Sequence, residues 1–217
     1  MSVKLGSHRL HSDVSGSTVE IEFFREIDEE QSVRIHERWH PILMERYKLA
    51  ELRYRQLHKP TQADWHALLQ EYGVPDAKWQ WPELFAEIRG RTTHASFCIE
   101  AQGEVQAAMR VDLTARCRLS SQANQHLVYV ERIAVAPWNR RQIQEPPLLA
   151  GLGKILLGVA VSLSIDEGWG GRTGLHSLKQ AEGFYRRLGM TELDIDPHHE
   201  GLRYFEFNSS DARSFLK

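Results

Sequence analysis

A β-branched strand that leads into a glycine-rich helix start constrains this sequence most. Residues 127–137 read LVYVERIAVAP, and they predict a strand that Pro137 ends, because proline cannot donate to a β-ladder. Gly151 and Gly153 then precede the apolar run ILL at 155–157, which predicts the first turns of a helix. The first amides of a helix have no partner within it, and the helix dipole adds to their attraction for an anion. The stretch therefore predicts either a phosphate-binding turn or a helix packed closely on a sheet.

The residues that follow continue an alternating pattern of strands and helices. Residues 172–176 predict a short strand, and a helix that Gly189 ends comes next. Two further strands, 190–195 and 202–207, flank a polar turn. The predicted helix carries four apolar or aromatic side chains on one face: Ala181, Phe184, Tyr185 and Leu188.

This order of elements resembles the GNAT superfamily of acyl-CoA-dependent N-acetyltransferases. The pyrophosphate loop of that family reads Q/R-x-x-G-x-G/A, and residues 148–153 (LLAGLG) match both glycines without the leading Gln or Arg. The late helix of the family reads N-x-x-A-x-x-F-Y-x-x-x-G-F. Residues 178–190 match its Ala, Phe, Tyr and Gly, and they have Leu178 and Met190 in place of Asn and Phe. The resemblance covers residues 95–207 and extends to 18–24.

The resemblance implies an α/β (α+β) fold. We expect a central mixed, mostly antiparallel sheet flanked by helices, with an enlarged helical segment after the first strand. A flexible N-terminal segment at 1–17 would precede a single GNAT domain at 18–208, and a tail at 209–217 would follow it. Within the domain, residues 25–91 would form a helical substrate-side region and residues 95–207 the acyl-CoA-binding core.

The helical region shows clear start and stop signals. Asp28 and Gln31 form the pattern of a capping box, and Pro41 is expected to kink or split the helix that follows. Thr61 and Pro82 mark the starts of two more helices. Aromatic residues are frequent in 58–91, which predicts either a small satellite core or an aromatic roof over an acceptor site.

The first long helix contains the pattern HExxH, formed by His36, Glu37 and His40. Two histidines four residues apart on one helix can hold Zn²⁺, with the glutamate placed to activate water. Pro41 follows directly, however, and no third-ligand motif follows at the spacing of the zinc proteases. An ordinary helix face and contact with an acceptor substrate are the other interpretations.

Composition narrows the classes of partner. The chain of 217 residues has a formal net charge of −2, which gives no strong field for nucleic acid or a membrane surface. Cys98 and Cys117 have no CxxC spacing, and the N-terminus has no apolar leader, so we expect a cytoplasmic protein with reduced thiols. Because GNAT domains often pair, the resemblance also leaves a homodimer open.

The resemblance implies acetyl-CoA, a coenzyme A thioester, as the acyl donor, and no metal. Backbone amides at 150–154 would hold the pyrophosphate, and Arg140 or Arg141 would add charge unless they are solvated loop residues. An apparent insertion at 142–149 separates these arginines from the glycine turn. The pantetheine would pair with the strand edge at 133–135. The expected cofactor contacts are Ile133, Ala134, Val135, Arg140, Arg141, Ala150, Gly151, Leu152, Gly153 and Lys154.

Two side chains take catalytic roles in this interpretation. Tyr185 matches the usual general acid of the family, which protonates the leaving thiolate. Glu131 lies on the predicted strand where the family often has a carboxylate, and it would take the amine's proton through water. A surface pair with Arg132 is the alternative for Glu131, and the backup bases are His36, His40 and His176. The expected substrate contacts are His36, Trp39, His40 and Tyr129.

The sequence thus predicts an N-acetyltransferase that transfers an acetyl or other acyl group to a primary amine by direct attack in a ternary complex. The acceptor would be a small-molecule or protein amine. A non-catalytic acyl-CoA-binding or acyl-CoA-sensing module is the alternative. Acetylation of aminoacyl-tRNA is a third possibility, which the near-neutral charge does not favour.

Overall fold

The computed structural model describes all residues from Met1 to Lys217, and its strands form one eight-stranded sheet. The strand order is β1-β2-β3-β4-β5-β6-β8-β7. The strands are β1 (Val3–Ser12), β2 (Ser17–Arg25), β3 (His94–Ala101), β4 (Glu104–Asp112), β5 (Val128–Val135), β6 (Thr173–Ser177), β7 (Thr191–Asp196) and β8 (Leu202–Phe207).

The sheet mixes the two kinds of strand pairing. β5 and β6 are parallel, with Tyr129 opposite Gly174. The pairs β1/β2, β2/β3, β6/β8 and β7/β8 are antiparallel. The predicted mixed, mostly antiparallel sheet flanked by helices is therefore confirmed. The chain folds into two compact units, the first comprising Met1–Arg89, Phe97–Ala108 and Ala134–Leu152, and the second Gly90–Ser96, Met109–Ile133 and Gly153–Lys217.

The first unit contains α1 (Glu29–Arg55), α2 (Gln62–Glu71) and α3 (Trp81–Ile88). The expected capping box at Asp28 is present, and Thr61 forms another with Asp64. The expectation that Pro41 splits the first helix is wrong, because α1 continues through it for 27 residues. Buried side chains before and after Pro41, including Trp39 and Leu43, hold both halves of the helix on one core, so packing outweighs the missing hydrogen bond.

The helices of the first unit pack around a core of indole and phenyl rings. Trp81 stacks on Phe85 and meets Trp39 edge to face, and these three side chains are all at most 2% exposed. Trp79 and Tyr72 pack partly buried against the same core. The aromatic residues of 58–91 thus contribute to the core of this unit, as one of the two interpretations predicted.

The N-terminal segment differs from the expectation. Residues 1–17 were expected to be flexible, but Val3–Ser12 forms β1, which pairs antiparallel with β2, for example Leu10 with Val19. Side chains on both faces of β1 are exposed, so the strand has no period-2 hydrophobic pattern that would reveal it. Backbone hydrogen bonds to β2 supply the pairing instead.

The second unit contains α4 (Leu152–Asp166), α5 (Glu182–Arg187) and α6 (Ser209–Phe215), together with β6, β7 and β8. The expectation of a tail at 209–217 is wrong for its first seven residues, which form α6. The Asn208 side chain caps α6 by accepting from the amides of Ser210 and Asp211. No helix of the chain combines the length and the apolar character that crossing a membrane requires.

Candidate active site

The second unit contains an open pocket of about 200 Å³ on the face of β5, β6 and β8. Its lining includes Arg116, Arg118, Tyr129, His176, His199 and Tyr204. Strand order explains the grouping, because β6 lies between β5 and β8 and each of the three strands contributes one lining residue. The pocket therefore concentrates aromatic, imidazole and guanidinium groups at one place.

Tyr129 and His176 lie side by side in this pocket. The Tyr129 hydroxyl and His176 Nδ1 are 2.6 Å apart, and His176 Nε2 lies 3.1 Å from Asp196 Oδ2. Burial, followed by the neighbouring His199, lowers the pKa of His176 to about 4. Burial raises the pKa of Tyr129 to about 12. At neutral pH this pair is therefore an uncharged imidazole beside a protonated phenol.

Asp196 at the end of β7 connects several of these groups. Its Oδ2 atom accepts from Arg118 at 2.7 Å and lies 2.9 Å from His199 Nδ1, while its Oδ1 accepts from the His198 backbone amide. The hydrogen bond from Arg118 holds the pKa of Asp196 well below its usual range. The imidazoles of His176 and His199 stack in parallel with centroids 3.8 Å apart. Asp196 is therefore an ionised acceptor surrounded by nitrogen atoms.

Tyr204 on β8 forms the floor of the pocket. The guanidinium carbon of Arg118 lies over the Tyr204 ring, 4.4 Å from its centroid. The Tyr204 hydroxyl lies against Gly174 on β6. A Cβ at Gly174 would lie only 2.2 Å from that hydroxyl oxygen, so only glycine fits there. Burial raises the pKa of Tyr204 above its usual range.

Glu131 lies on β5 two residues beyond Tyr129. Its Oε2 atom accepts from Arg110 Nε at 2.6 Å and is 3.9 Å from His94 Nε2. The Arg132 guanidinium donates to the Glu131 carbonyl. The carboxylate is thus in an ion pair with Arg110, and the Glu131 side chain keeps 23% exposure.

Tyr185 lies on α5 and is 6% exposed. Its ring packs between Phe184 and Phe205, and burial raises its pKa well above the usual value. The phenol is protonated at neutral pH, as a general acid must be, and the raised pKa makes it a weaker proton donor than an exposed tyrosine.

The glycine turn before α4 has the backbone geometry that the sequence suggests. Gly151 has φ +82°, a left-handed conformation that favours glycine, and α4 begins at Leu152. A Cβ at Gly153 would meet only Phe184, at an ordinary distance of 3.8 Å. Ala150 is half-buried, Leu152 is buried, and the Lys154 ammonium lies 5.7 Å from the Phe215 ring. Residues 150–153 of the turn thus carry no charged side chain, and the exposed Lys154 follows them.

Within the first unit, Arg140 is engaged by the protein itself. Its guanidinium bonds to both carboxylate oxygens of Asp76 and to the carbonyls of Gly73 and Val135. Arg141 is exposed. Of the two arginines expected to contribute charge to the cofactor, only Arg141 therefore presents its side chain to solvent.

Of the three residues of α1 that were expected to contact substrate, one is buried in the core and two are half-buried. Trp39 is 1% exposed, and its indole donates to the Val105 carbonyl, so it is a core residue in this structure. His36 and His40 stack with centroids 4.6 Å apart and are half-buried. Burial, with a contribution from His36, lowers the pKa of His40.

Sequence reasoning missed Arg118, Asp196 and His199 as site residues. The one signal available was the spacing Asp196-x-x-His199 in the turn after β7, because that turn brings the two side chains to 2.9 Å. His176 was considered only as a backup base. The structure brings it to Tyr129, which was expected to contact substrate.

Comparisons with known proteins give a likeness in fold. No family model matches the sequence, and no curated protein matches it. The chain is similar to an uncharacterized protein from Bacillus halodurans at 8% identity, covering 99% of this chain and 96% of that one, with a TM-score of 0.53.

Two acetyltransferase structures show weaker likeness. The PaiA N-acetyltransferase from Thermoplasma acidophilum, in complex with coenzyme A, has 14% identity over 86% of this chain and 97% of its own, with a TM-score of 0.49. A GCN5-related N-acetyltransferase from Ralstonia eutropha JMP134 has 16% identity over 79% and 92%, with a TM-score of 0.43.

Proposed function

We propose that this chain is an acyl-CoA-dependent N-acyltransferase that moves an acetyl or other acyl group from its CoA thioester to a primary amine. The observation that carries the proposal is the left-handed Gly151 directly before α4, at the position of the pyrophosphate loop in the GNAT pattern. The order β5, α4, β6, α5, β7, β8 supports it, since the sequence pattern of the superfamily has the same order.

In this proposal, the amides at the start of α4 bind the pyrophosphate of CoA, because they lack intrahelical partners and lie at the positive end of the helix. The backbone of Ile133, Ala134 and Val135 pairs with the pantetheine. The Val135 carbonyl already accepts from Arg140, so the other polar groups of this edge would make the contacts. Arg141 and Lys154, both exposed, are the cations that can approach the phosphates.

The reaction needs a base and an acid. The amine nitrogen forms the new C–N bond at the thioester carbonyl, the C–S bond breaks, and the thiolate leaves. Tyr185 gives its proton to that sulfur, although burial raises the pKa of its phenol and so makes it a weaker acid than an exposed tyrosine. The role of Glu131 as base stays a prediction. Its carboxylate already accepts a hydrogen bond from Arg110, and this ion pair competes with accepting a proton from the amine.

The second candidate function, a non-catalytic acyl-CoA-binding module, is favoured by one observation. Arg140 is committed to Asp76, and the glycine turn has no Gln or Arg before it, so this loop has fewer side-chain donors than the family pattern. Such a module would bind the cofactor without turnover.

The experiment that tests the proposal has two measurements. Thermal unfolding with acetyl-CoA at about 100 times its Kd should show a stabilisation of roughly 2.7 kcal/mol. Release of free CoA thiol is then followed with a panel of small amines and lysine- or N-terminal-amine peptides. Binding with thiol release supports the transferase, binding without it supports the module, and no binding of acetyl-CoA or longer acyl-CoA contradicts both.

A further inference from the structure

We propose that His176, Asp196 and His199 form a binding site for one divalent transition-metal ion of the Zn²⁺ type. The ligand atoms are His176 Nε2, Asp196 Oδ2 and His199 Nδ1, which all lie within 4.8 Å of one another. This inference stands apart from the proposed acyl transfer and would overturn the expectation of a protein without metal.

The atoms that would not bind the ion are held by other groups. His176 Nδ1 lies 2.6 Å from the Tyr129 hydroxyl, so when Nδ1 carries its proton the lone pair is on Nε2. Asp196 Oδ1 accepts from the His198 backbone amide at 2.9 Å, which leaves Oδ2 directed at the two imidazoles. Metal-binding imidazoles commonly donate their second N–H to a polar partner in this way, which fixes their orientation.

The donor set fits a transition metal better than Mg²⁺ or Ca²⁺. Two imidazole nitrogens and one carboxylate oxygen are ligands that Zn²⁺ takes in tetrahedral sites, whereas Mg²⁺ and Ca²⁺ prefer oxygen alone. Three protein ligands leave a fourth position, and His176 and His199 both line the open pocket.

Two contacts within this cluster must change when the ion binds. Arg118 donates to Asp196 Oδ2 at 2.7 Å and supplies the positive charge there, so the ion would displace it. The Arg118 side chain is 42% exposed, and its guanidinium also lies over the Tyr204 ring. It can keep this contact with the ring when it loses the hydrogen bond to Asp196. The His199 ring must turn out of its parallel stack with His176, and its place on an exposed turn allows this.

The chain provides a matched control for this proposal. His36 and His40 also form a stacked pair of half-buried imidazoles, and they belong to the HExxH pattern of α1. The two pairs differ in their neighbours. His176 and His199 form a cluster of possible metal ligands with the Asp196 carboxylate, whereas His36 and His40 belong to no such cluster. Adventitious binding to histidine would affect both pairs alike.

The test titrates chelator-treated full-length protein with Zn²⁺ by calorimetry and with Co²⁺ by visible absorption, which reports the coordination geometry. We expect one ion per chain. Replacing His176→Asn or Asp196→Asn should weaken binding by more than about tenfold, since even an outer partner of a metal site is worth roughly 10–100-fold. His199→Ala is the variant least able to disturb folding, because its side chain is 44% exposed, and it should weaken binding likewise.

Two further variants sharpen the result. Arg118→Ala should tighten Zn²⁺ binding by roughly twofold to fivefold, because it removes the competing cation of a partly exposed ion pair. The double variant His36→Asn/His40→Asn should bind as the unaltered protein does. Binding that survives His199→Ala in a folded protein, or that disappears only in the His36/His40 variant, would overturn the proposal.

Discussion

The guanidinium of Arg140 donates to both carboxylate oxygens of Asp76, at 2.5 Å and 2.7 Å. The same guanidinium donates to the Gly73 carbonyl at 2.9 Å and twice to the Val135 carbonyl. An arginine has five N–H donors, and these contacts occupy all of them. The side chains of Arg140 and Asp76 are only 10% and 5% exposed. This buried ion pair therefore connects Asp76 to the end of β5 within the first unit.

Arg140→Ala should destabilise the protein strongly. The variant leaves the buried Asp76 carboxylate without its partner, and breaking one side of a buried ion pair costs about 3–5 kcal/mol. Urea unfolding would measure the free energy of unfolding. Arg141→Ala is the control at the next, exposed residue and should change that free energy by less than about 0.5 kcal/mol. Equal losses in the two variants would show that the ion pair contributes little.

Gly174→Ala should also destabilise, for a steric reason. The added Cβ would lie 2.2 Å from the Tyr204 hydroxyl oxygen and 2.9 Å from the adjoining ring carbon, and Tyr204 is 2% exposed. We expect a loss of about 1–3 kcal/mol, as for other overpacked sites. Gly6→Ala, in β1 with nothing within 4 Å of the added atom, is the matched control. Partial rescue in Gly174→Ala/Tyr204→Phe would confirm the hydroxyl as the obstacle, and a tolerated Gly174→Ala would refute this account.

Local features of the fold, unlike these packing relations, could be predicted from the sequence. Capping residues act within a few positions of their helix, so the helix starts at Asp28, Thr61 and Pro82 could be predicted from local patterns. The glycine turn before α4 was likewise visible as a motif.

The cluster around Asp196 could not be predicted in the same way. β8 lies between β6 and β7, yet His176 on β6 and Asp196 at the end of β7 meet, 20 residues apart in the sequence. Strand order of this kind is set by the packing of the whole sheet, and spacing in the sequence does not encode it. The partner of Arg140 escaped prediction for a related reason, since Asp76 is 64 residues away.

Tyr185→Phe tests the proposed acid. Removing the hydroxyl should lower kcat at least about tenfold, because a positioned general acid contributes roughly 10²–10⁴-fold. Binding of acetyl-CoA, followed by calorimetry, should persist, since the ring packing against Phe184 and Phe205 is retained. Unchanged turnover would remove Tyr185 from the mechanism.

Glu131→Gln separates a base from a structural ion pair. If the carboxylate takes the amine's proton, kcat falls roughly 100-fold or more and the acid limb of the pH–rate profile disappears. If Glu131 serves only to hold Arg110, the profile keeps its shape and stability falls instead. Arg110→Gln breaks the same 2.6 Å contact from the other side and is the matched comparison.

The lowered pKa of His40 predicts how the free energy of unfolding depends on pH. Its pKa is lowered in the folded state, so between that value and the usual value of about 6.5 the unfolded chain binds more protons. The stability that His40 contributes is present above pH 6.5 and decreases as the pH falls below it. Urea midpoints at pH 7.5 and 5.0 should therefore differ less for His40→Gln than for the unaltered protein. His66→Gln, at an exposed position of α2, should leave the difference unchanged.

The exposed N-terminal strand has a consequence for how the protein opens. β1 is a terminal strand of the sheet, and of its ten residues only Ser12 is buried. Few apolar contacts oppose its release, so β1 can separate from β2 at a free energy far below that of global unfolding. Its amide protons should accordingly exchange with deuterium well before those of β8, whose last four residues are buried. We therefore expect β1 to leave β2 and pair with it again while the other strands of the sheet stay folded.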